Sequence, residues 1–335
     1  MSILISPHKK RYKVNLHCHS TVSDGKLSPA EVKEAYKAAG YSAVAFTDHQ
    51  VLLGHTELCD EGFIALHGYE VNLDEKAPSL DGETLKKTYH INLIAKEQDN
   101  LIQPCFHPAA VPEHAKHSVP FVRFTGELFP MEYSAECANA VARKAAEHGF
   151  LAFYNHPFWS LQTYADYAPL HGFSGVEVYN TACARDLGTA DCTSAVYDDL
   201  LRLGNRMIPI AADDMHDKSA LFGGWNTVLA DRLSYRDLTE ALERGDTYAT
   251  TGPEIESLSV ENGRIALSST PVLNVFLHID GKRSGIRTHH GGTPFTETVI
   301  DLPKNATRFR LELVDARGRR ATTRAYYAEE LQSRL

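Results

Sequence analysis

Apolar runs alternate with amphipathic stretches through the first three quarters of the chain. The first apolar run spans residues 14–19, and a helix start follows it, because Ser28 supplies an N-cap, Pro29 the first helical position and Glu31 an acidic first turn. Residues 42–47 then form a short run typical of a buried strand. Strand, helix and strand over this length predict a βαβ unit with parallel strands.

The same alternation continues to about residue 250. Further strands are predicted at 63–66, 68–71, 89–95, 150–154, 175–180, 207–212 and 224–230, and further helices at 134–148, 193–203 and 234–244. About seven repetitions over roughly 240 residues favour a parallel α/β barrel over an open sheet. The segment of about 96–133 interrupts the pattern, and a connection of this length is usually a lid, a binding loop or a disordered segment.

After Gly252 the pattern changes to short β-type runs separated by Gly, Asn and Pro. These runs lie at 255–261, 272–279, 295–302 and 308–314, and a helical pattern returns only in the last few residues. We therefore expect two domains: an α/β barrel over residues 1–252, followed by a small antiparallel all-β domain over residues 253–335.

Composition and charge are those of an ordinary globular protein. Hydrophobic residues make up 43% and charged residues 23% of the 335 positions. The net charge of −9 argues against general nucleic-acid binding, which favours a strongly basic domain. It leaves small anionic substrates possible, because bound cations reverse the local field. We expect a small-molecule partner that is anionic; the oligomeric state stays open.

Neither a leader nor a membrane segment is expected. The basic N-terminal residues are not followed by an apolar stretch, and no run approaches the ~18 apolar residues of a membrane span. The cysteines show no CxxC pairing and are interpreted as reduced thiols. Their positions are Cys18, Cys59, Cys105, Cys137, Cys183 and Cys192. A cytoplasmic protein is therefore expected.

Polar residues with metal-binding groups recur where the predicted strands end. In a strand, Asn15, His17 and His19 fall on one face, and Leu16 and Cys18 on the other. Alone, such an HxH is better explained by the exposed face of an edge strand than by a metal site. Barrel active sites are built at the carboxyl ends of the strands, and further polar residues are expected there. With the two histidines, they are Asp24, His49, Glu70, His156, Asp214 and His216.

His90 is an exception, because it begins its apolar run, so its strand must be placed differently. Taken singly, each of these residues also has a purely structural explanation. His90 fits a hydrogen bond to a backbone carbonyl, Glu70 fits an ion pair, and His156 fits the cap of a turn. Together, nine such residues are hard to explain by burial, since unpaired charge is costly. Nine nitrogen and oxygen ligands exceed the needs of one ion and suit two or three ions bridged by carboxylates.

The ordered motifs HxHSxxSDG, TDH, GxE, an isolated His, NHP and DxH resemble the PHP superfamily, named for its polymerase and histidinol-phosphatase members. The resemblance covers roughly residues 12–250 and implies a distorted (β/α)7 TIM-like barrel that holds two or three divalent ions (Mn, Fe or Zn). It assigns His17, His19, Glu70 and Asp214 to the first ion. It assigns Glu70, His90 and His156 to the second ion, and Asp24, His49 and His216 to a third.

Residues 241–253, with the β-domain behind them, are also similar to a two-domain branch that includes carbaryl-hydrolase-type metallohydrolases. That branch includes hydrolases of carbamate esters, whereas the wider superfamily is mostly phosphoesterases. The second resemblance therefore keeps a non-phosphate substrate open.

The leading hypothesis is a phosphoesterase that hydrolyses a small phosphorylated metabolite or nucleotide by a metal-bound hydroxide. His216, Asp24 and His49 are the residues expected to act in catalysis. Two alternatives remain: a metal-dependent hydrolase of a carboxylic ester, carbamate or amide, and a non-catalytic metal-binding regulatory module. The residues alone do not separate the two hydrolases, whereas the complete ligand set argues against the regulatory module.

Other polar residues near the strand ends have candidate supporting roles. Asp48 and Asp213 precede ligands and are expected to orient them, although Asp48 equally fits a cap of its turn. Glu177 and Asn180 either support the ligands, touch substrate or satisfy local hydrogen bonds. Candidates for anion recognition, each also explained as surface charge, are Lys116, Arg123 and Arg185. Candidates for a lid or for an extension of the site, but not for ligands, are His107, His114 and His117. Cys18 is interpreted as core packing.

Overall fold

The computed structural model describes residues 1–75, 86–188, 194–280, 282–288 and 291–332. Cys192 lies outside these ranges. The first ten strands are β1 (Ser2–Ile5), β2 (Lys10–Asn15), β3 (Ala43–Phe46), β4 (Ile64–Asp74), β5 (Thr88–Ala95), β6 (Phe150–Tyr154), β7 (Gly175–Asn180), β8 (Ile208–Ala212), β9 (Trp225–Ala230) and β10 (Thr247–Thr250).

The remaining strands are β11 (Ile255–Glu261), β12 (Arg264–Val272), β13 (Asn274–Ile279), β14 (Lys282–Thr288), β15 (Phe295–Asp301), β16 (Arg308–Val314), β17 (Arg320–Thr323) and β18 (Tyr326–Tyr327). The helices are α1 (Pro29–Ala38), α2 (Ala135–Glu147), α3 (Tyr164–Tyr167), α4 (Thr181–Leu187), α5 (Ser194–Arg202), α6 (Tyr235–Arg244) and α7 (Ala328–Gln332). None of the helices in these ranges combines the length and apolar character needed to cross a membrane.

A large mixed sheet organises the α/β part of the molecule. β2, β3 and β4 pair in parallel, and so do β6, β7 and β8. On the side of β2 away from β3, strand β9 pairs with β2 in the antiparallel direction. The backbone N–H of Ala211 in β8 donates to the side chain of Asn226 in β9 at 2.9 Å, so the two ends of this row of strands meet. The mixed α/β class is confirmed, while closure into a (β/α)7 barrel stays a prediction.

β5 corrects the expectation of an all-parallel row and explains the position of His90. β4 continues for 11 residues to Asp74, and β5 then returns beside it, antiparallel to both β4 and β6. Because its direction is reversed, the beginning of β5 lies at the edge where its parallel neighbours end. His90 therefore reaches the same edge as the other predicted ligands.

The HxH segment lies just beyond β2, which ends at Asn15 rather than at residue 19. The segment remains extended because it is fastened to the chain after β8: the N–H of Asp214 donates to His17 O, and the N–H of His19 to Met215 O. Asn15 does not share the histidines' face. Its side-chain amide instead donates to the carbonyl of His17 and to the Tyr36 hydroxyl.

Helix α1 begins as its sequence predicts. The Ser28 hydroxyl accepts from the Glu31 N–H, and the Glu31 carboxylate accepts from the Ser28 N–H, with Pro29 at the first helical position. The helix packs Val32 and Tyr36 against a cluster that contains Cys18. Burial in this cluster raises the pKa of the Cys18 thiol, which agrees with core packing rather than with a nucleophile.

The predicted irregular segment 96–133 contains two short 3₁₀ helices, Pro108–Ala110 and Glu113–Phe121. Ala115 is buried in a small apolar cluster with Phe106 and Val111. The Ser118 hydroxyl donates to the carbonyl of Val22 at 2.9 Å. The segment is thus packed against the loop that leads to Asp24.

The C-terminal quarter is antiparallel β-structure in two layers. One layer is a four-stranded sheet in the order β1-β11-β12-β15. The other, β14-β13-β16-β17, continues through β10 into the large sheet, and β18 pairs with β16. Strand β1 comes from the N-terminus, and its Ile5 is buried in the apolar cluster between these layers. The division at residues 252 and 253 stays a prediction, and β1 joins the C-terminal side of it.

Candidate metal centre

All nine predicted ligands meet at one edge of the large sheet. Most of their side chains are buried, and the open side is formed by Asp24 and His216, whose side chains are 28% and 35% exposed. The residues that come together are His17, His19, Asp24, His49, Glu70, His90, His156, Asp214 and His216.

One group of converging atoms comes from the HxH segment and the loop after β8. His17 Nε2 and His19 Nε2 lie 3.1 Å apart, and Asp214 Oδ1 is 3.2 Å and 3.1 Å from them. Ligands held at about 2.1 Å from a shared ion lie about 3 to 3.5 Å apart. The three side chains thus have the spacing of ligands to one ion.

Glu70 connects this group to a second one. Its Oε1 lies 3.2 Å from His17 Nε2, 3.2 Å from His90 Nδ1 and 3.4 Å from His156 Nε2. Its Oε2 lies 2.9 Å from His49 Nδ1. A carboxylate with imidazoles around both oxygens is suited to bridge neighbouring cations.

A third group surrounds Asp24 at the open side. Asp24 Oδ2 lies 3.6 Å from His49 Nε2 and 3.5 Å from His216 Nε2, and Asp24 Oδ1 lies 3.7 Å from His19 Nδ1. The two ring nitrogens of His19 therefore face different groups. The resemblance assigned His19 to the first ion alone, whereas the geometry places it between the first and third groups.

The donor set fits divalent cations. Two buried atoms, His19 Nδ1 and Asp214 Oδ1, make no hydrogen bond within the described parts of the chain, although charged groups surround them. Buried polar atoms without partners are costly, and one cation in the first group and another in the third would satisfy them. Imidazole and carboxylate ligands together suit Zn, Fe and Mn. The residues present therefore fit more than one divalent ion.

The electrostatics favour the metal-binding forms of Glu70, Asp214 and His19. Burial opposes ionisation of Glu70, but His90 and His17 outweigh it, so the pKa of Glu70 lies well below its usual range. The pKa of Asp214 is also depressed, because His17 and neighbouring histidines outweigh burial. Burial, reinforced by His216 and His49, lowers the pKa of His19 to about 3, which keeps this ring neutral.

Glu177 and Asn180 stand directly behind the ligands. Glu177 Oε1 accepts from His17 Nδ1 at 2.7 Å, which leaves the Nε2 lone pair of His17 directed at the first group. Glu177 Oε2 accepts from the backbone N–H of His156 and from the Asn180 side chain, both at 3.0 Å. The Asn180 amide also donates to Asp214 Oδ2 at 3.1 Å. Both residues hold ligands in place.

Asp48 binds backbone and hydroxyl groups rather than a ligand side chain. It accepts from the N–H and hydroxyl groups of Ser20 and Ser23 at 2.8 to 3.0 Å. It thereby shapes the turn that carries Asp24, which is the turn-capping role. Gly25 closes the same turn, and a Cβ there would lie 2.5 Å from the His19 backbone.

Asp213 plays the same part for the loop after β8. It accepts from the Tyr36 hydroxyl at 2.9 Å and the Thr181 hydroxyl at 2.6 Å. It also accepts from the backbone N–H groups of residues 222, 223 and 224 at 2.8 to 3.2 Å. Its side chain thus fixes the surroundings of Asp214 through the backbone.

The predicted anion-binding residues do not join the cluster. Arg185 pairs with Asp186 at 2.9 Å and Asp217 at 3.5 Å, and Lys116 pairs with Glu113. Arg123 contributes a backbone carbonyl that accepts from Gln103. Among the described residues, no Lys or Arg forms an ion pair with a carboxylate of the nine ligands.

Of the predicted lid histidines, His114 approaches the site. Its Nε2 lies 3.9 Å from Asp24 Oδ2, and its ring centroid lies 5.9 Å from that of His49. His107 instead caps the short helix that follows it, with Nδ1 accepting from the Ala109 N–H. His117 has no recorded contact with the nine ligands.

Sequence reasoning did not single out Asn155 or Trp159. The Asn155 amide donates to Glu70 Oε1 at 2.7 Å, and its position directly before His156 in the NHP motif was an available signal. The Trp159 ring lies 5.7 Å from the His90 ring and 5.2 Å from the His156 ring, and it is 41% exposed. It adds an apolar surface at the mouth of the site.

Comparisons with known proteins give a short match to a curated protein and matches of low identity to solved structures. A 5′-3′ exoribonuclease of Haemophilus influenzae is 47% identical over 45 residues, which are 13% of this chain and 16% of that protein. A two-domain protein of Bacteroides vulgatus, which contains a predicted PHP-like metal-dependent phosphoesterase, is 18% identical with a TM-score of 0.45, and the alignment covers 98% of both chains.

Two further solved structures are similar to parts of the chain. A protein of Bifidobacterium adolescentis, named as a candidate metal-dependent phosphoesterase, is 16% identical with a TM-score of 0.39, over 70% of this chain and 96% of that one. An amidohydrolase of Chromobacterium violaceum with bound sulfate and no metal is 18% identical with a TM-score of 0.38, over 61% and 87% of the two chains.

The family comparison covers the first part of the site. The sequence model of the PHP domain matches residues 15–105, a range that holds six of the nine converging ligands. These six are His17, His19, Asp24, His49, Glu70 and His90. Over residues 15–105, the chain is therefore similar to the PHP domain family.

Proposed function

We propose that the protein is a metal-dependent hydrolase and that its substrates are phosphoesters of small anionic molecules. The observation that carries the proposal is the convergence of six histidines and three carboxylates, with Glu70 between His17 and His49. The PHP domain match supports the proposal, and so do the phosphoesterase names of two of the similar structures.

Each part of the cluster has a distinct task in this proposal. His17, His19 and Asp214 would hold one ion, and Glu70 would join it to a second ion held with His90 and His156. Divalent ions bound here would supply an acidified water for attack and positive charge for the reacting centre. The number and identity of the ions are part of the proposal: two or three, drawn from Mn, Fe and Zn.

The residues proposed for catalysis lie on the side from which a substrate would approach. The His216 and Asp24 side chains are the most exposed of the nine ligands, at 35% and 28%, and His49 lies beside them at 10%. Glu177 and Asn180 stand on the opposite, closed side, where they fix ligand orientation. Substrate would therefore meet the Asp24 group first.

An anionic substrate agrees with the charges around the site. In the part of the chain that the structure describes, histidines supply every ion-pair partner of Asp24, Glu70 and Asp214. Because no described lysine or arginine pairs with these carboxylates, the positive charge that neutralises a bound phosphate would come from the bound cations. The exposed ring of Trp159 would contact the part of the substrate outside the reacting group.

Substrate class is tested by turnover with the purified full-length chain. The protein would be loaded separately with Mn, Fe and Zn and assayed on a phosphomonoester, a phosphodiester, a carboxylic ester, a carbamate and an amide. We expect metal-dependent turnover of a phosphoester. His17→Ala should abolish it, and the exposed control His171→Ala should keep it.

Activity confined to the ester, carbamate or amide would overturn the phosphoester assignment and support the alternative hydrolase. Metal binding without turnover on any class would favour a regulatory module. Full turnover by His17→Ala would show that the reaction takes place elsewhere in the chain.

A further inference from the structure

A cavity of about 560 Å³, separate from the metal centre, lies between the α/β part and the C-terminal β-structure. Its volume is within the range of small-molecule sites, roughly 300 to 1,000 Å³. In β7, Val178 and Tyr179 line the cavity, whereas Glu177 and Asn180 contact the metal ligands. The cavity and the metal centre are therefore lined by different residues of β7.

One wall of the cavity holds a lysine among aromatic rings. Lys13 Nζ lies 4.0 Å from the centroid of the Tyr41 ring and 4.2 Å from that of Trp225. Phe222, which also lines the cavity, lies 5.9 Å from Tyr41, ring centroid to ring centroid. The loop that carries Phe222 is fixed because Asp213 accepts from its backbone N–H groups. This part of the cavity lining therefore combines aromatic rings with a positive charge.

Lys13 is half-buried, and none of the described carboxylates forms an ion pair with it. Burial lowers its pKa, although Asp213 and Glu254 act in the opposite direction from a distance. A partly desolvated ammonium that contacts only rings retains much of its attraction for an anion. The lysine thus offers a positive charge to whatever enters the cavity.

A second available cation lies on the turn between β16 and β17, whose residues also line the cavity. Asp315 Oδ1 accepts from the backbone N–H groups of Arg317 and Arg319, at 2.8 Å and 2.9 Å, and Gly318 adopts the left-handed conformation (φ +78°) that closes the turn. The Arg319 side chain pairs with Asp315 at 2.7 Å. The guanidinium of Arg317 forms no ion pair with any described residue, and Arg317 is one of the residues that line the cavity.

The other two lining arginines are already neutralised. Arg310 makes a two-pronged contact with Asp198, at 2.9 Å and 2.8 Å, and Arg320 pairs with Glu312. They contribute shape rather than free charge. The cations available to a ligand are therefore Lys13 and Arg317.

We propose that this cavity is a binding site for a small anion that carries an aromatic ring. The ring would lie against Trp225 and Phe222, and the anionic group would be bound by Lys13 and Arg317. A nucleoside monophosphate and an aromatic carboxylate share this chemistry. The site uses none of the nine candidate metal ligands, so this proposal does not depend on the hydrolase assignment.

The two tryptophans of the chain allow a direct test of occupancy. In a Trp159→Phe background, Trp225 is the only tryptophan and its fluorescence reports on the cavity. The probes are benzoate and an analogue of AMP in which a methylene group replaces the 5′ oxygen, so that ester hydrolysis does not consume it. The comparison ligands are adenosine, which lacks the charge, and inorganic phosphate, which lacks the ring.

We expect saturable quenching of Trp225 by at least one of the two ring-bearing anions, with an affinity at least 10-fold higher than for adenosine or phosphate. The better of the two then identifies phosphate or carboxylate as the anionic group. Failure of both anions to exceed the comparison ligands overturns the proposal.

Charge-removing variants test the two cations. Lys13→Met should weaken binding at least 10-fold, whereas Lys10→Met, at an exposed position of the same strand, should leave binding unchanged. Arg317→Ala lies on an exposed turn, so it provides a test that does not depend on the folding of the Lys13 variant. Unchanged affinity in Arg317→Ala, or in a folded Lys13→Met, contradicts the proposal.

Discussion

At the residue scale, His17 shows how a neighbour prepares an imidazole for a metal. The ring is completely buried, and its Nδ1 is held by Glu177 at 2.7 Å. This hydrogen bond fixes the proton on Nδ1, so Nε2 presents its lone pair toward His19 and Asp214. The ability of His17 to bind a cation thus depends on Glu177, which is not itself one of the nine candidate ligands.

We predict that Glu177→Gln weakens metal binding by about 10- to 100-fold while the protein remains folded. The amide is a poorer acceptor for His17, and its NH₂ group meets the backbone N–H of His156 as a second donor. Competition with a chelator would measure the affinity.

Glu147→Gln, on the exposed end of α2, is the matched control and should bind metal like the parent protein. Equal affinities in Glu177→Gln and the parent would show that the hydrogen bond to His17 has no part in metal binding.

At the scale of elements, short loops after the strands set the positions of the ligands. Asp48 organises the turn before Asp24, and Asp213 organises the loop at residues 222–224. Each carboxylate is buried and accepts several hydrogen bonds, so each converts a flexible connection into a fixed one.

Asp213→Ala is predicted to destabilise the fold by about 3 kcal/mol or more, because the loss leaves several buried donors without an acceptor. Urea unfolding followed by circular dichroism would measure the change. The control Asp231→Ala removes an exposed carboxylate that pairs with Lys9, and its free energy of unfolding should stay within about 0.5 kcal/mol of the parent. A similar small change in Asp213→Ala would mean that the loop is held by other contacts.

The convergence of the nine candidate residues was predictable because metal sites favour imidazoles and carboxylates at the ends of strands, and the role of these residues as ligands stays a prediction. Imidazoles and carboxylates repeatedly follow apolar runs, and those runs were found within a few residues of their true bounds. The N-cap at Ser28 was likewise readable, since its capping partners are local in sequence.

Strand direction and exact strand ends were not predictable from local pattern. An apolar run such as the one at His90 reads the same in both directions, and only its pairing with β4 and β6 makes β5 antiparallel. The HxH segment looks like a strand, but its extended form comes from hydrogen bonds to residues almost 200 positions away. The pairing of β1 with β11 depends on equally distant residues.

At the scale of the whole molecule, an ionic cluster joins the two parts of the chain. Arg310 of β16 binds Asp198 of α5, and Glu312 lies within 3.4 to 3.6 Å of His278 and Arg310. All of these side chains are largely buried. Breaking the cluster therefore affects the contact between the β-structure and the α/β part.

The cluster predicts a dependence of stability on acid pH. Burial alone would raise the pKa of Glu312, but His278, Arg310 and Arg320 lower it from 4.5 to about 2. The unfolded chain therefore binds the Glu312 proton more tightly, and this contribution to stability is lost as pH falls from about 4.5 toward 2. Glu312→Gln should lose about 3 kcal/mol at pH 7 and show a shallower decline below pH 4.5.

Urea unfolding at a series of pH values measures this effect, with Glu147→Gln as the control. A parent and a Glu312→Gln variant with parallel stability profiles below pH 4.5 would contradict the assigned role of Glu312.

The central claim is that residues scattered from His17 to His216 form one divided metal centre. Elemental analysis of the full-length chain after loading with Mn, Fe or Zn tests it most directly, with His17→Ala measured alongside. We predict two or three ions per chain in the parent, and a loss of at least one ion in His17→Ala. Fewer than one ion per chain in the parent, or the same metal content in His17→Ala, would contradict the account.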